Sequence, residues 1–433
     1  MKKFKILLSL VMLIGLILAG CGKKESATSA DGKTTIDFAI HVANPKEQEP
    51  AFYKVIEKFQ EENPDIKVNL IGKEQQEHVK GIKMQSQSDK LPDVFWMLPA
   101  SAAELEKAGM LMDLTGFLDD NPDIKSSLKP NMIKSFNKDG RQYGLPYQPL
   151  ITGLFYNKAL FDKFGVKIPE TFEDLAEATK VFEKNGITTI SKGAKDDYSV
   201  WAFLTMLSRY GYFDKIDNIL AGKESYNNTD FVNYYKKIGE LQKLGAFPKN
   251  VTTQTYFQAV EQFLAGKAAM LDSGMWDVQK IEQSPIGKDV GFWWGPTFTD
   301  GVGDQKVSSV VPSAPLLVSK KAGENKAKKE AVLKLLKFYY GEKGTQIMVD
   351  NQVAPMTNAT VNVDEAAHPL FKKLVDQVQL EGWNSQQNQP DLVVPEAIGS
   401  AMYDSIYGVI NGTYTPEQAA KVVDKKFRQL NNY

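Results

Sequence analysis

Beyond residue 21 the chain has no cysteine, so disulfides, thiolate metal sites and a cysteine nucleophile are excluded from roughly 410 residues. Histidine is almost as scarce. His41, His78 and His368 lie far apart, and no H-x₃-H or H-E-x-x-H spacing exists, which argues against a zinc enzyme. Arg141, Arg209 and Arg428 are the only arginines, too few for a rich bidentate clamp on phosphate or carboxylate. Charge is balanced as well: 52 basic against 53 acidic residues give a net charge of -1 and no reason to expect nucleic acid as a partner. A Gly-rich phosphate loop and a G-x-S-x-G elbow are both missing. No cofactor is implied.

The longest apolar run stands at the start. Lys2, Lys3 and Lys5 precede a stretch from Ile6 to Ala19 in which Ser9 is the one clearly polar residue. A membrane-spanning helix needs roughly 20 apolar residues, whereas a basic start and a shorter apolar core form an export signal. Leu18-Ala19-Gly20-Cys21 closes the run and resembles the lipobox of bacterial lipoproteins, which implies that residues 1–20 are removed and Cys21 is lipidated. The alternative is an ordinary cleavable signal with an incidental cysteine. Residues 21–34, polar and small, read as a flexible tether.

Aromatic residues are in surplus: 6 tryptophans, 17 tyrosines and 23 phenylalanines make up 11% of the chain. Several sit beside glycine, proline or glutamine, outside periodic apolar stretches.

Strand and helix signals alternate, the pattern of sheets covered by helices, so the fold class is α/β. Thr35–Ile40, Ile66–Ile71 and Asp93–Trp96 read as strands, separated by helical spacing such as Phe52, Val55, Ile56 and Phe59. Ser101 to Glu104 has the form of a capping box opening a helix that Gly109 closes. In a second α/β unit Thr171 caps a helix ended by Asn185-Gly186; Ile187–Ile190 is its strand. Extended breaks fall at Leu145–Pro149, Val310–Ser319 and Gln352–Met356.

Three segments, "LPDVFWMLPASAAELEKAGMLMDLT" (91–115), "YGLPYQPLITGLFYNKALFDKFGVKIPETFEDL" (143–175) and "AVEQFLAGKAAMLDSGMW" (259–276), resemble the signature segments of family 1 extracellular solute-binding proteins, the sugar-capturing components of ABC importers. The resemblance implies a type II periplasmic-binding-protein-like fold, crossing hinge strands, an interlobe cleft and no catalysis. It implies one lobe of residues 35–144 and 312–354 and another of residues 145–311 and 355–433, a division with which the extended breaks agree. It further implies a monomer, lipid-anchored to the outer face of the bacterial cytoplasmic membrane through Cys21, that passes sugar to transporter permease subunits.

Ligands of open α/β sheets sit beyond the carboxyl ends of strands. That rule selects His41, Gln75 and Glu77, Trp96, and the turn Gly274 to Trp276, where glycine permits close approach. Family proteins carry an aromatic ligand contact at the position matching Trp276 and often at that matching Trp96. Tyr147, Trp201, Asp272, Trp293, Trp294, Trp383 and Tyr403 complete the candidates. Each also has a structural reading: hinge packing for Tyr147, core for the tryptophans, a helix cap for Asp272. Of Trp293 and Trp294, adjacent in a strand, one is expected to point inward and the other to the opposite face. Stacking aromatics suit the apolar faces of pyranose rings, and several tryptophans point to an oligosaccharide. A secreted glycoside hydrolase, which needs two carboxylates about 5–10 Å apart, and a same-fold binder of a non-sugar solute are the competing readings.

Replacing Cys21 by alanine is expected to move the protein from the membrane to the soluble fraction of disrupted cells. Retention as firm as in the wild type contradicts lipid anchoring.

Overall fold

The computed structural model describes residues 32–195, 199–357, 361–378 and 380–430. The expected leader, Cys21 and most of the tether fall on residues 1–31, outside the described residues.

The first sheet begins with β1 (Thr34–Ile40) and β2 (Ile66–Gly72), parallel and in register from Thr34 opposite Ile66 to Ile40 opposite Gly72. β3 (Val94–Trp96) lies on the other side of β1. Each of the three strands leads into a helix. After β1 a single turn at Pro45–Gln48 precedes the helix Pro50–Glu62, which has proline at its start, where the missing N–H does no harm, and buries Phe52, Val55, Ile56 and Phe59 on one stripe. The helix after β3 starts at Pro99, not at the expected Ser101 box: proline sets the first turn and no side chain caps it. Short helices at Thr115–Asp120, Pro122–Ser127 and Pro130–Lys134 were not legible from apolar spacing. A ribbon of β4 (Asn137–Lys138) and β5 (Arg141–Gln142) leads to β6 (Leu145–Pro146) at the sheet edge.

The chain then crosses to the second sheet, built from β7 (Pro149–Asn157), β8 (Thr188–Ser191), β9 (Ala268–Gly274), β10 (Val290–Trp293) and β11 (Val307–Pro312). β7 is the spine, pairing antiparallel with β9, β10 and β11. β8 runs parallel to β9. The expected Thr171 cap is present as a full capping box with Asp174. After β11 the chain returns through β12 (Pro315–Val318), which inserts between β3 and β6, and much later β13 (Asn384–Ser385) extends the second sheet at β11. The sheet orders are β2-β1-β3-β12-β6 and β13-β11-β7-β9-β8, with β10 also on β7.

The two crossings lie side by side. Tyr147 N–H donates to the Ala314 carbonyl (3.3 Å), Ser313 N–H to the Gln148 carbonyl (3.0 Å), and Gln148 N–H to the Ser313 hydroxyl (3.2 Å). Proline brackets both: Pro146 stands opposite Pro315, and Pro149 opposite Pro312. A proline fixes its own φ, offers no N–H and restricts the residue before it, so of the two residues between the prolines in each crossing, Gln148 and Ala314 are held extended and Tyr147 and Ser313 are the freer. Near the third extended break, Gln352 carries a φ of 62° and Lys129 N–H donates to the Met356 carbonyl (3.2 Å).

One apolar core lies under the first sheet, and two flank the second. On the spine, Gly153 is required by packing, since a Cβ there would stand 2.8 Å from the Trp293 carbonyl and 2.7 Å from the Phe292 ring. A Gly153→Ala variant is expected to lose about 1–3 kcal/mol of stability in a urea denaturation curve. An unchanged midpoint contradicts this packing.

Candidate functional site

The carboxyl ends of β1, β3 and β6 point the same way, because β12 is antiparallel to both β3 and β6. His41, Trp96 and Tyr147 therefore meet. The His41 ring stacks on Trp96 (centroids 4.1 Å, 17°) and stands edge-on to Tyr147 (5.9 Å, 86°). His78, which the sequence reading passed over, donates from Nε2 to the Trp96 carbonyl (2.7 Å) and locks the end of β3. Burial, and secondarily His78, hold His41 down to about 3, so its ring is neutral at ordinary pH. Its buried Nδ1 has no hydrogen-bond partner. The Tyr147 hydroxyl, also buried, lies beside the Glu49 carboxyl outside ordinary hydrogen-bond geometry. Glu49 is half-buried as a residue, but its carboxyl is enclosed; burial pushes it up to about 7, partly offset by Tyr147. Gln75 and Glu77, on the first turn of the helix Gln75–Gln87, are exposed and stand apart from this cluster.

At the end of β9 a second aromatic group forms. Trp276, 41% exposed, packs edge-on against Trp201 (4.8 Å, 67°), and Trp201 packs against Tyr256 (5.4 Å, 83°). The Trp276 indole donates to the Tyr256 hydroxyl (2.8 Å), which in turn donates to Asp277; Ser273 donates to the same carboxylate oxygen (2.6 Å). An exposed indole is thus held in one orientation. Gly274 serves this arrangement differently from the sequence expectation: a Cβ there would stand 2.3 Å from the Trp276 ring, so the space is filled by the indole rather than left for a ligand. Gly274 is extended (φ -141°), so packing and not backbone strain requires glycine.

Other candidates lie elsewhere. Asp272 is fully buried, and both its oxygens are occupied: Oδ1 accepts the Ala202 N–H (2.9 Å) and Oδ2 the Lys192 ammonium (2.6 Å). It faces the interior, and the helix it caps is the one at Trp201, not the following one. Trp293 and Trp294 split as expected of strand neighbours, Trp293 packing on one core of the second lobe and Trp294, 1% exposed, within the other. Trp294 is edge-on to Phe292 (4.9 Å) and near Trp383 (6.5 Å). Arg209 lies over Trp383 (5.9 Å) and donates to the carbonyls of Trp294 (2.9 Å) and Val307 (3.0 Å), so this arginine is spent on the fold. Tyr403 donates to Asp391 (2.5 Å), whose carboxyl burial pushes up to about 6.

A cavity of about 980 Å³ opens between the two lobes. Pro99, Ser101, Glu104, Asn131 and Tyr143 line it from the first lobe, and Gln386, Gln387, Asn388 and Glu396 from the second. None of the thirteen candidate ligand residues is among its lining side chains; Pro99, three residues past Trp96, lines it, and the lining Gln386 bonds to Gln389, which in turn reaches the Trp201 carbonyl. The second-lobe wall is fixed from behind. Ser208 donates to Gln386 Oε1 (2.8 Å), Ser309 donates to Gln389 Oε1 (2.9 Å), Thr152 donates to Ser309 (2.8 Å), and Gln389 Nε2 donates to the Trp201 carbonyl (3.2 Å). Three glutamines of this wall region, Gln386, Gln387 and Gln389, follow the candidate Trp383 closely in sequence. Among the described residues no group of three or more His, Cys, Asp or Glu side chains is placed to hold a metal ion, and no helix is long and apolar enough to cross a membrane.

A Trp294→Ala variant is expected to lose about 3–5 kcal/mol of stability in chemical denaturation. A wild-type midpoint contradicts its interior role.

The chain is 24% identical to the multiple sugar-binding protein of Streptococcus mutans serotype c, over 79% of this chain and 82% of that one. It is 23% identical to the maltodextrin-binding protein of Bacillus subtilis, over 99% and 98%. A solved chitin oligosaccharide binding protein superposes with a TM-score of 0.79 at 21% identity, covering 91% of this chain and 99% of the other. That likeness establishes the two-lobed α/β type II fold. Residues 43–346 match the profile of the bacterial extracellular solute-binding proteins, and the chain belongs to that family of binding proteins.

Proposed function

We propose that the protein is a lipid-anchored extracellular receptor that captures an oligosaccharide between its lobes and delivers it to the permease subunits of an ABC importer. The observation that carries this reading is Trp276, a large indole left exposed at a strand end yet fixed by Tyr256 and Trp201. Apolar rings left in water and held rigid are suited to binding, because little side-chain freedom remains to be lost when a ligand arrives. A pyranose ring offers an apolar C–H face for such a platform, while its hydroxyls need hydrogen-bonding partners.

Polar partners stand on both walls. Ser101, Asn131 and Glu104 face the cavity from one lobe, and Gln386, Gln387 and Asn388 from the other. Its volume of about 980 Å³ lies at the upper end of the range of roughly 300–1,000 Å³ for small-molecule sites, which favours several linked sugar units over one. The names of the similar proteins, a multiple sugar-binding and a maltodextrin-binding protein, point the same way. In this reading the exposed Trp276, steadied by Trp201, offers the stacking surface, while Trp96 and Tyr147, 5% and 1% exposed, support the half-buried His41 at the strand ends of the first sheet; none of the five lines that cavity. The proposed lobes divide at Tyr147-Gln148, at Ser313-Ala314 and near residue 354, two to three residues beyond the sequence-derived bounds at 145 and 312, because β6 (Leu145–Pro146) belongs to the first sheet and β11 runs to Pro312 in the second. The receptor acts as a monomer, held at the outer face of the membrane by the lipid on Cys21.

The test uses the protein lacking residues 1–31 and a panel of mono- and oligosaccharides. A matching oligosaccharide at 100 times its Kd is expected to raise stability by about 2.7 kcal/mol in a thermal-shift assay. Trp276→Ala is expected to weaken its binding about 30-fold, the equivalent of about 2 kcal/mol, while the ligand-free protein melts near the wild-type temperature. A panel without any stabilising saccharide, or a variant of unchanged affinity, contradicts the proposal.

A further inference from the structure

We infer that the buried Lys192–Asp272 ion pair is a positioning element for the Trp201–Trp276 platform, an assignment that rests on the sugar-receptor reading above. Three chain segments converge on this pair. Asp272 belongs to β9, two residues before Gly274 and four before Trp276. Lys192 directly follows β8. The third segment enters the helix Trp201–Ser208, whose N-cap residue, Val200, provides no side-chain cap.

The missing cap is supplied from a distance. Asp272 Oδ1 accepts the Ala202 N–H at 2.9 Å and meets one of the N–H groups that a helix start leaves without an internal partner. Asp272 Oδ2 accepts the Lys192 ammonium at 2.6 Å, and the same ammonium donates to the Ser199 carbonyl just before the helix. Phe203 and Tyr407 place their rings 5.2 and 6.0 Å from the lysine nitrogen and close the site to water. Both charges are shielded from solvent. Trp201 is therefore tied, through its neighbour Ala202, to the strand from which Trp276 projects. The two indoles meet at 4.8 Å.

Stability alone is a weak reason to keep such a pair. Desolvation of two charges consumes most of their attraction, and well-packed apolar replacements are often neutral or better. A pair that fixes the start of one helix against one strand, with a tryptophan on each, accounts for charges at this point. Lys192 and Asp272 touch no ligand in this scheme. They act through the indoles.

The experiment compares wild type, Asp272→Asn and the doubly neutral Lys192→Met/Asp272→Asn variant, each alone and combined with Trp276→Ala. The single variant keeps an acceptor for Ala202 but strands a buried lysine; the double variant removes both charges and covers the case in which the single one fails to fold. Near-ultraviolet circular dichroism of the ligand-free protein reads the coupling between the two indoles without any saccharide. The double variant is expected to retain a cooperative melt, to change the indole signal, and to bind the best saccharide at least tenfold more weakly. Little further loss is expected in the Trp276→Ala background, because residues acting through one contact are non-additive. An unchanged indole signal, or a full tenfold loss on top of Trp276→Ala, overturns the positioning role. A wild type that binds no saccharide contradicts the receptor reading instead, and the spectroscopic comparison still decides the positioning claim.

Discussion

Everything in the molecule depends on how two short chain crossings are joined. Tyr147-Gln148 carries the chain from the first sheet to the second, and Ser313-Ala314 brings it back. Backbone hydrogen bonds lace the two pairs together, and four prolines stand as two facing couples at their ends. Because proline holds φ near one value and restricts the residue before it, these two crossings can bend only at the four residues Tyr147, Gln148, Ser313 and Ala314, and the third passage, near Gln352–Met356, must move with them. One of those four is Tyr147, whose ring contacts His41 and whose carbonyl accepts the Tyr339 hydroxyl (2.7 Å). Tyr147, itself buried in the first core, therefore couples the crossing to the packing beneath His41 and Trp96.

Order in the site is built by hydrogen bonds to groups that never reach solvent. His78 holds the end of β3, Tyr256 and Asp277 hold the Trp276 indole, and Gln386 and Gln389 hold the cavity wall against β7 and β11. Their common feature is a buried polar side chain with most of its capacity satisfied, which is what fixes a single orientation in a low-dielectric interior. Arg209, the one buried arginine among the described residues, follows the same logic and ties Trp294 and Val307 together within the second lobe.

Much of the fold was legible because apolar spacing and caps are local. The stripe Phe52, Val55, Ile56, Phe59 and the Thr171 box needed no knowledge of the rest of the chain. Opposite facing of Trp293 and Trp294 followed from strand alternation alone. Asp272 was not legible, since its burial is decided by Lys192, 80 residues away in sequence. Gly274 is required by packing and not for ligand approach, and only the folded chain reveals that an indole two residues later fills the space beside it. Among the cavity-lining residues Asn131 carries no signal, being an ordinary polar residue in a segment without strong periodicity, and Ser101 is marked in the sequence only as a helix cap. Sequence pattern located the strand ends; which polar groups converge there is a property of the tertiary fold.

The central claim is that solute is captured by closure of two lobes about the paired crossings. Small-angle X-ray scattering of the soluble protein, with and without a saturating oligosaccharide, tests it most directly, because contacts to both lobes are made together only in the closed form. The account predicts a smaller radius of gyration and a shorter maximum dimension with ligand. Superimposable profiles at a concentration where calorimetry shows the protein fully occupied would contradict it.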